Sequence, residues 1–181
     1  MNRVKLLVVF AIAAAALCAA TVGSFSLGVS PPQVVSADVS SKIERTVTVD
    51  HVMDGDTICL EGGEKVRLVG VDAEETKLNA HARSWHPELQ SMNSAQYQQT
   101  EYYQRALAAK DHVMQLCPSG TQIGLDVDDL TQEDKYSRTL AVVYVEENDE
   151  WTNLNAELLR MGLVVVLYIP PSEFNPYAWA S

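Results

Sequence analysis

Apolar and polar positions change rhythm several times along this chain, and the changes mark its elements. From Arg45, the residues Thr46, Val47, Thr48, Val49 and Val52 are mostly β-branched and run into Asp54-Gly55, a strand followed by a tight turn. Thr57 to Leu60 is a second short strand, Glu61-Gly62-Gly63-Glu64 a hairpin turn, and Lys65 to Val71 a third strand. Short turns between them predict an antiparallel meander. Residues 77–100 keep no clean period and are rich in Asn, Gln, Ser and His, which reads as a long functional loop or a partly disordered one. Tyr103, Ala106, Leu107, Val113, Met114 and Cys117 then fall near one helical face, ended by Pro118-Ser119-Gly120. Thr121 to Val127 is a weak strand and Arg138 to Val145 a strong one. Asn153 to Met161 reads as a helix stopped by Gly162, and Leu163 to Ile169 is apolar and extended.

Three strands, a helix, two strands and a second helix predict an α+β, mainly β fold: a five-stranded OB-fold barrel with two or more helices. OB-folds bind oligonucleotides across one face, although other small barrels share this element order.

The N-terminal pattern is different. Arg3 and Lys5 precede an apolar run from Leu6 to Ala20, with milder residues to Val29, then Pro31-Pro32 and the small residues of Val35-Ser36-Ala37. Residues 1–37 therefore read as a secretory signal cut after Ala37, and the protein as secreted. The alternative is an uncleaved membrane anchor facing outside, since Leu6 to Val29 is long enough to span a bilayer. Leu17 is too bulky for Cys18 to be a lipoprotein site. Residues 38–44 read as a polar linker and 45–181 as the domain.

Charge argues against the obvious use of such a barrel. Thirteen Lys and Arg against 24 Asp and Glu give a net charge of −11. Without Arg3 and Lys5 the balance is 11 against 24, or −13. A nucleic-acid binder ordinarily has a basic surface, so any such role needs strong local cations. Cys59 and Cys117 remain after cleavage. Export permits a bridge between them, and two small buried apolar residues are the other reading.

Those local features exist. Asp54, Asp56, Asp72, Glu74 and Glu75 lie at or beside the ends of adjacent strands. The Gly62-Gly63 hairpin puts residues near 57 and 71 at the same end, so Asp56 and Asp72 can meet. Two carboxylates together call for a cation, and hard oxygen ligands favour calcium or magnesium; alternatively each aspartate caps its own turn. Arg67 sits in a strand apolar on both faces and needs an anionic partner, either a nearby acid or a phosphate. Arg138 has the same two readings.

Asp54-Gly55-Asp56-Thr57, then Arg67 to Thr76 (RLVGVDAEET), then Asp134-Lys135-Tyr136-Ser137-Arg138 resemble the three signature blocks of the staphylococcal-nuclease-like (thermonuclease) family, in the family's order. Asn155 to Leu163 resembles the segment that follows, and the similarity covers about residues 45–169. The resemblance implies a calcium-dependent nuclease acting on DNA and RNA with little sequence preference. It implies Asp56 and Asp72 as metal-ligating carboxylates, with Ala73 lending a backbone carbonyl. Glu75 matches the general base, Arg67 and Arg138 the arginines that hold the phosphate, Lys135 and Tyr136 contacts to a terminal phosphate, and Tyr168 an aromatic beside the base. It implies no protein partner and a monomer. A catalytically inactive binding module on the same fold is the alternative.

Three departures stand out. Glu74 replaces the usual proline beside the metal loop. Pro170 replaces a second aromatic near the base. Residues 77–100 are longer than expected and hold His81, Arg83, Trp85 and His86, either as a mobile solvated loop or as a segment that closes on substrate with Trp85 stacked on a base. His81 and His86 lack the third ligand a metal site needs.

Overall fold

A computed structural model of the chain describes residues 39–179; the expected signal, residues 1–37, lies outside the described residues. Strands β1 (Arg45–Asp54), β2 (Thr57–Leu60) and β3 (Lys65–Leu68) form the expected antiparallel meander, with Thr57 opposite Arg67. Strand β4 (Val71–Ala73) follows. Helices α1 (Ala80–Trp85), α2 (Ser94–Tyr97) and α3 (Glu101–Leu116) lead to β5 (Gln122–Val127), β6 (Thr139–Glu147), β7 (Glu150–Asn153), α4 (Leu154–Arg160) and β8 (Val164–Val166).

The sheet runs β3-β2-β1-β5-β6-β7, and a parallel pairing of β3 with β6 closes the first five strands into a barrel. The small β4–β8 ribbon stands beside it. Val49, Ile58, Leu60, Val66, Leu68, Ile123, Leu125, Ala141 and Val143 fill the interior. Inward alternation breaks once in β1, where a register shift between Val49 and His51 lets Val49 and Val52, three positions apart, both face the core.

Helix α3 closes the barrel with Ala106, Ala109, Val113 and the following Cys117. Met114, expected on that face, is exposed, because the helix packs through its small residues and needs a close approach. Gly55 meets it there. A Cβ at position 55 would lie 2.7 Å from Ala109 Cβ and 2.9 Å from Ala73 Cβ, so the Asp54-Gly55-Asp56 turn needs glycine for room.

Three sequence expectations are corrected, and the open alternative for the two cysteines is decided. The third strand does not run through to Val71: Gly70 takes φ +78°, and the chain turns there from the barrel into β4. Residues 39–43 are not a free linker, since a 3₁₀ turn at Ser40–Lys42 brings Ile43 onto Gly124. Cys59 and Cys117 are both buried and unbridged. Residues 77–100 are folded, around a small core of Ala82, Leu89 and Tyr97. Asn79 caps α1 and Asn93 caps α2 through its side chain, with Gln96 completing the capping box. The Arg83 guanidinium gathers the carbonyls of Leu89, Gln90 and Met92. Hydrophobic periodicity could not show this, because caps and a half-buried guanidinium set the segment's shape. Strand β7 was also missed, being only four residues long with one apolar side chain.

Asn155, at the start of α4, is fully buried and ties the residue that follows β3 to β6. Its Nδ2 donates to the Val69 carbonyl at 2.8 Å, and its Oδ1 accepts from the Val143 N–H at 3.0 Å. The stretch that leads β3 into β4, and with it Asp72, is thereby fixed to β6. Among the described residues no helix is long and apolar enough to cross a membrane.

Candidate active site

A cleft of about 750 Å³ opens where the barrel closes, and Asp56, Arg67, Asp72, Ala73, Glu75, Lys135, Tyr136, Arg138 and Tyr168 all line it. They come from the β1–β2 turn, β3, β4 and the residues after it, the loop before β6, and the chain after β8. Asp54 and His81 line it too.

Its floor is a buried charge cluster. Arg67, only 7% exposed, places Nη2 2.6 Å from Asp72 Oδ1 and 3.2 Å from Asp56 Oδ2. Its Nη1 donates to the carbonyls of Leu68 at 2.8 Å and Val71 at 2.7 Å. Of the two readings of Arg67, the structure shows the salt bridge to nearby acids, made here to both of them in the lining of the cleft. Asp56 Oδ2 also accepts the Ala73 N–H at 2.8 Å, and Asp56 Oδ1 accepts the Thr57 hydroxyl at 3.0 Å. The remaining Asp72 oxygen lies 3.1 Å from His81 Nε2.

Negative charge is in excess here. Burial first, then the charge of Asp56, pushes the Asp54 carboxyl up to about 7. Asp72 is also raised, because burial and Asp56 outweigh the help of Arg67. Burial raises Glu75 as well, against the hydrogen bond from Asn79 Nδ2 to its Oε2 at 2.8 Å. The backbone carbonyl of Glu75 accepts the Tyr97 hydroxyl at 2.6 Å, so the folded 77–100 segment grips Glu75 at both ends.

Arg138 reaches the cluster from the far side of the barrel seam, donating from Nη1 to Thr57 Oγ1 at 3.1 Å. Asp134 holds the rest of it: Oδ2 takes Nε at 2.7 Å and Nη2 at 2.6 Å, while Oδ1 accepts the Tyr136 and Arg138 N–H groups. Burial tends to raise Asp134, but these four hydrogen bonds prevail and hold its carboxyl below the usual range. The acidic approach to Arg138 thus orients it. Tyr136 stands exposed with Lys135 Nζ 5.0 Å and Arg138 Cζ 5.5 Å from its ring centroid. Tyr168 is exposed beside the cleft, and its ring lies edge-on to Tyr177 at 6.4 Å, a neighbouring aromatic in spite of Pro170.

Glu74 turns away from the acids. It pairs with His86 at 2.9 Å and Arg105 at 3.6 Å. A second group of possible ligands, Asp50, His51 and Cys59, lies across β1 and β2, and none of the three lines the cleft.

Residues 65–178 match the family described as staphylococcal nuclease homologue, more than half of the chain. The chain belongs to that family. A relative within reach of sequence comparison is the uncharacterized protein MJ1439 of Methanocaldococcus jannaschii, 32% identical over 131 residues. The match covers 70% of this chain and 61% of MJ1439, so the chain spans about three-fifths of that relative's length. The family placement agrees with the closed barrel and a nuclease-type fold.

Sequence reasoning gave no role to Thr57, Asn79, Asp134 or Tyr97 in this staphylococcal nuclease homologue. Asp134 had a local signal, its i,i+4 spacing to Arg138. Thr57 had one as well, standing opposite Arg67 in the hairpin register. Asn79 and Tyr97 had none, since their contacts depend on how residues 77–100 fold.

Proposed function

We propose that this protein is a calcium-dependent phosphodiesterase that hydrolyses DNA and RNA with little sequence preference. The supporting observation is the convergence of buried carboxylates and two arginines in one cleft. Asp54, Asp56, Asp72 and Glu75 supply four carboxylates, while Arg138 is already matched by Asp134, leaving Arg67 as their main counter-charge. The other three carboxylates are each raised in part by Asp56, and such an all-oxygen, over-charged donor set fits a hard divalent cation.

Asp56 and Asp72, with the carbonyl of Ala73, hold calcium in this reading. Bound there, the ion supplies positive charge to the phosphoryl oxygens of the substrate. Glu75 takes the proton of the attacking water. Its burial moves the carboxyl towards neutrality, which improves a base working near pH 7, and the Asn79 amide fixes its orientation. Arg67 and Arg138 hold the phosphate and stabilise charge built up in the transition state. Asp134 and Thr57 keep the Arg138 guanidinium pointed at the cleft. Lys135 and Tyr136 contact a terminal phosphate, and Tyr168 a base.

The test is cleavage of single-stranded DNA by the purified protein, with calcium and then with chelator. Calcium-dependent release of fragments is expected, with Arg138→Ala slower by about 10²–10³. Binding without cleavage would leave the inactive-module alternative; neither binding nor cleavage would end both. Export rests on residues 1–37, and N-terminal sequencing of protein from culture supernatant checks it, with a first residue of Asp38 expected.

A further inference from the structure

The folded segment 77–100 does more than steady Glu75. Helix α1 carries His81 and Trp85 one turn apart, their rings 6.0 Å between centroids. Together with Arg105 and Val165 they line a second groove of about 190 Å³, which shares Asp72, Ala73, Glu74, Glu75 and His81 with the main cleft. The two spaces therefore meet at the residues proposed for metal and base. The groove is smaller than an ordinary ligand pocket of about 300–1,000 Å³, a size for one side group of a larger ligand.

Trp85 is 46% exposed and Val165 41% exposed, so an apolar face is left open directly beside a polar cleft. The shelf is rigid. Arg83 binds three carbonyls of the following turn, Asn79 caps the helix, and Tyr97 ties the segment to Glu75. His86, at the end of α1, is stacked on Tyr102 at 3.9 Å and paired with Glu74. A rigid aromatic loses little entropy when a flat partner stacks on it. Phosphate is a poor occupant, because Asp72, Glu74 and Glu75 form one wall and the one arginine lining the groove among the described residues, Arg105, is shared between Glu74 and Glu101. A nucleobase, uncharged and flat, suits both the ring and the acids.

We propose that this groove is a base subsite, in which the nucleobase next to the phosphodiester in the main cleft stacks on Trp85. The inference rests on the nuclease reading and extends it: a base must leave its pair to enter, so the substrate is single-stranded. Base stacking on an aromatic is tolerant of sequence, in keeping with low sequence preference.

The test is the affinity of the full chain carrying Glu75→Gln, with calcium, for fluorescent dT2 and dT6 by anisotropy. In Trp85→Ala and Trp85→Leu the affinity for both oligonucleotides is expected to fall about tenfold, the loss of one stacked base, and in Trp85→Phe to be largely kept. Leucine keeps an apolar side chain against α1 and loses only the ring, which separates stacking from folding. Unchanged affinity for both oligonucleotides in both the Ala and Leu variants overturns the subsite and leaves the nuclease reading standing. A parent protein that binds neither oligonucleotide overturns both.

Discussion

Arg67→Ala is the most informative single change. The guanidinium makes two contacts to buried carboxylates and two to backbone carbonyls, with its side chain 9% exposed. Removing it leaves Asp56 and Asp72 facing each other without a counter-charge. Breaking a buried ion pair in this way costs about 3–5 kcal/mol. For a domain of this size that is a fall in Tm of roughly 10–15 °C, taking about 3 °C per kcal/mol. Loss of a cation should also strengthen the demand for another. Calcium, which on the proposed reading would compete with Arg67 for the same oxygens, should therefore stabilise the variant more than the parent, and a ligand at a hundred times its Kd adds about 2.7 kcal/mol. The assay is thermal unfolding followed by circular dichroism, in chelator and in millimolar calcium. The expected result is a large gap between parent and variant in chelator that narrows in calcium. A gap under about 1 kcal/mol in chelator, or one that calcium leaves unchanged, would refute the electrostatic argument.

Asn155→Ala should cost about 2–4 kcal/mol in urea unfolding, since it strands the Val143 N–H and the Val69 carbonyl in the core; a cost below 1 kcal/mol would mean the seam relaxes around them. Gly55→Ala should cost about 1–3 kcal/mol, from a Cβ 2.7 Å from Ala109 and 2.9 Å from Ala73, and should weaken calcium binding read by titration calorimetry. Asp126, raised to about 6 by burial and then by Glu173 and Glu44, supplies the pH test. A raised acid binds its proton more tightly in the folded state, so its contribution favours folding below about pH 4 and is lost as pH rises through 6. Asp126→Asn should accordingly stabilise the protein by about 1 kcal/mol at pH 7.5 after solvent screening, and by much less at pH 4.5. Equal gains at both pH values would exclude titration of Asp126 as the cause.

Strand and helix positions in the barrel were legible because each hides one face, and burial imposes period two or 3.6 on the residues that do so. Asp56 beside Asp72 followed from the hairpin register alone. Their union through Arg67 did not, since a charge in an apolar strand has the same appearance whether it meets an acid or a ligand. Residues 77–100 were opaque for another reason. Their fold rests on Asn79, Arg83, Asn93 and Tyr97, polar groups that satisfy backbone partners one at a time and leave no periodic trace. Met114 was misplaced by counting hydrophobicity where the decisive property was size, a helix that comes within contact of Gly55 through Ala109.

The parallel seam between β3 and β6 has a consequence in time. Thr57 and Arg138 meet across 81 positions of sequence, and Arg67 pairs with Leu140 only once everything between them has been wound into place. No shorter piece of the chain contains the cleft. A chain open at that seam lacks the cleft, whose lining comes from both sides of it. On the proposed reading, closure of the barrel works as a safety catch: the groups that would act on a phosphodiester come together only once the last strand is set.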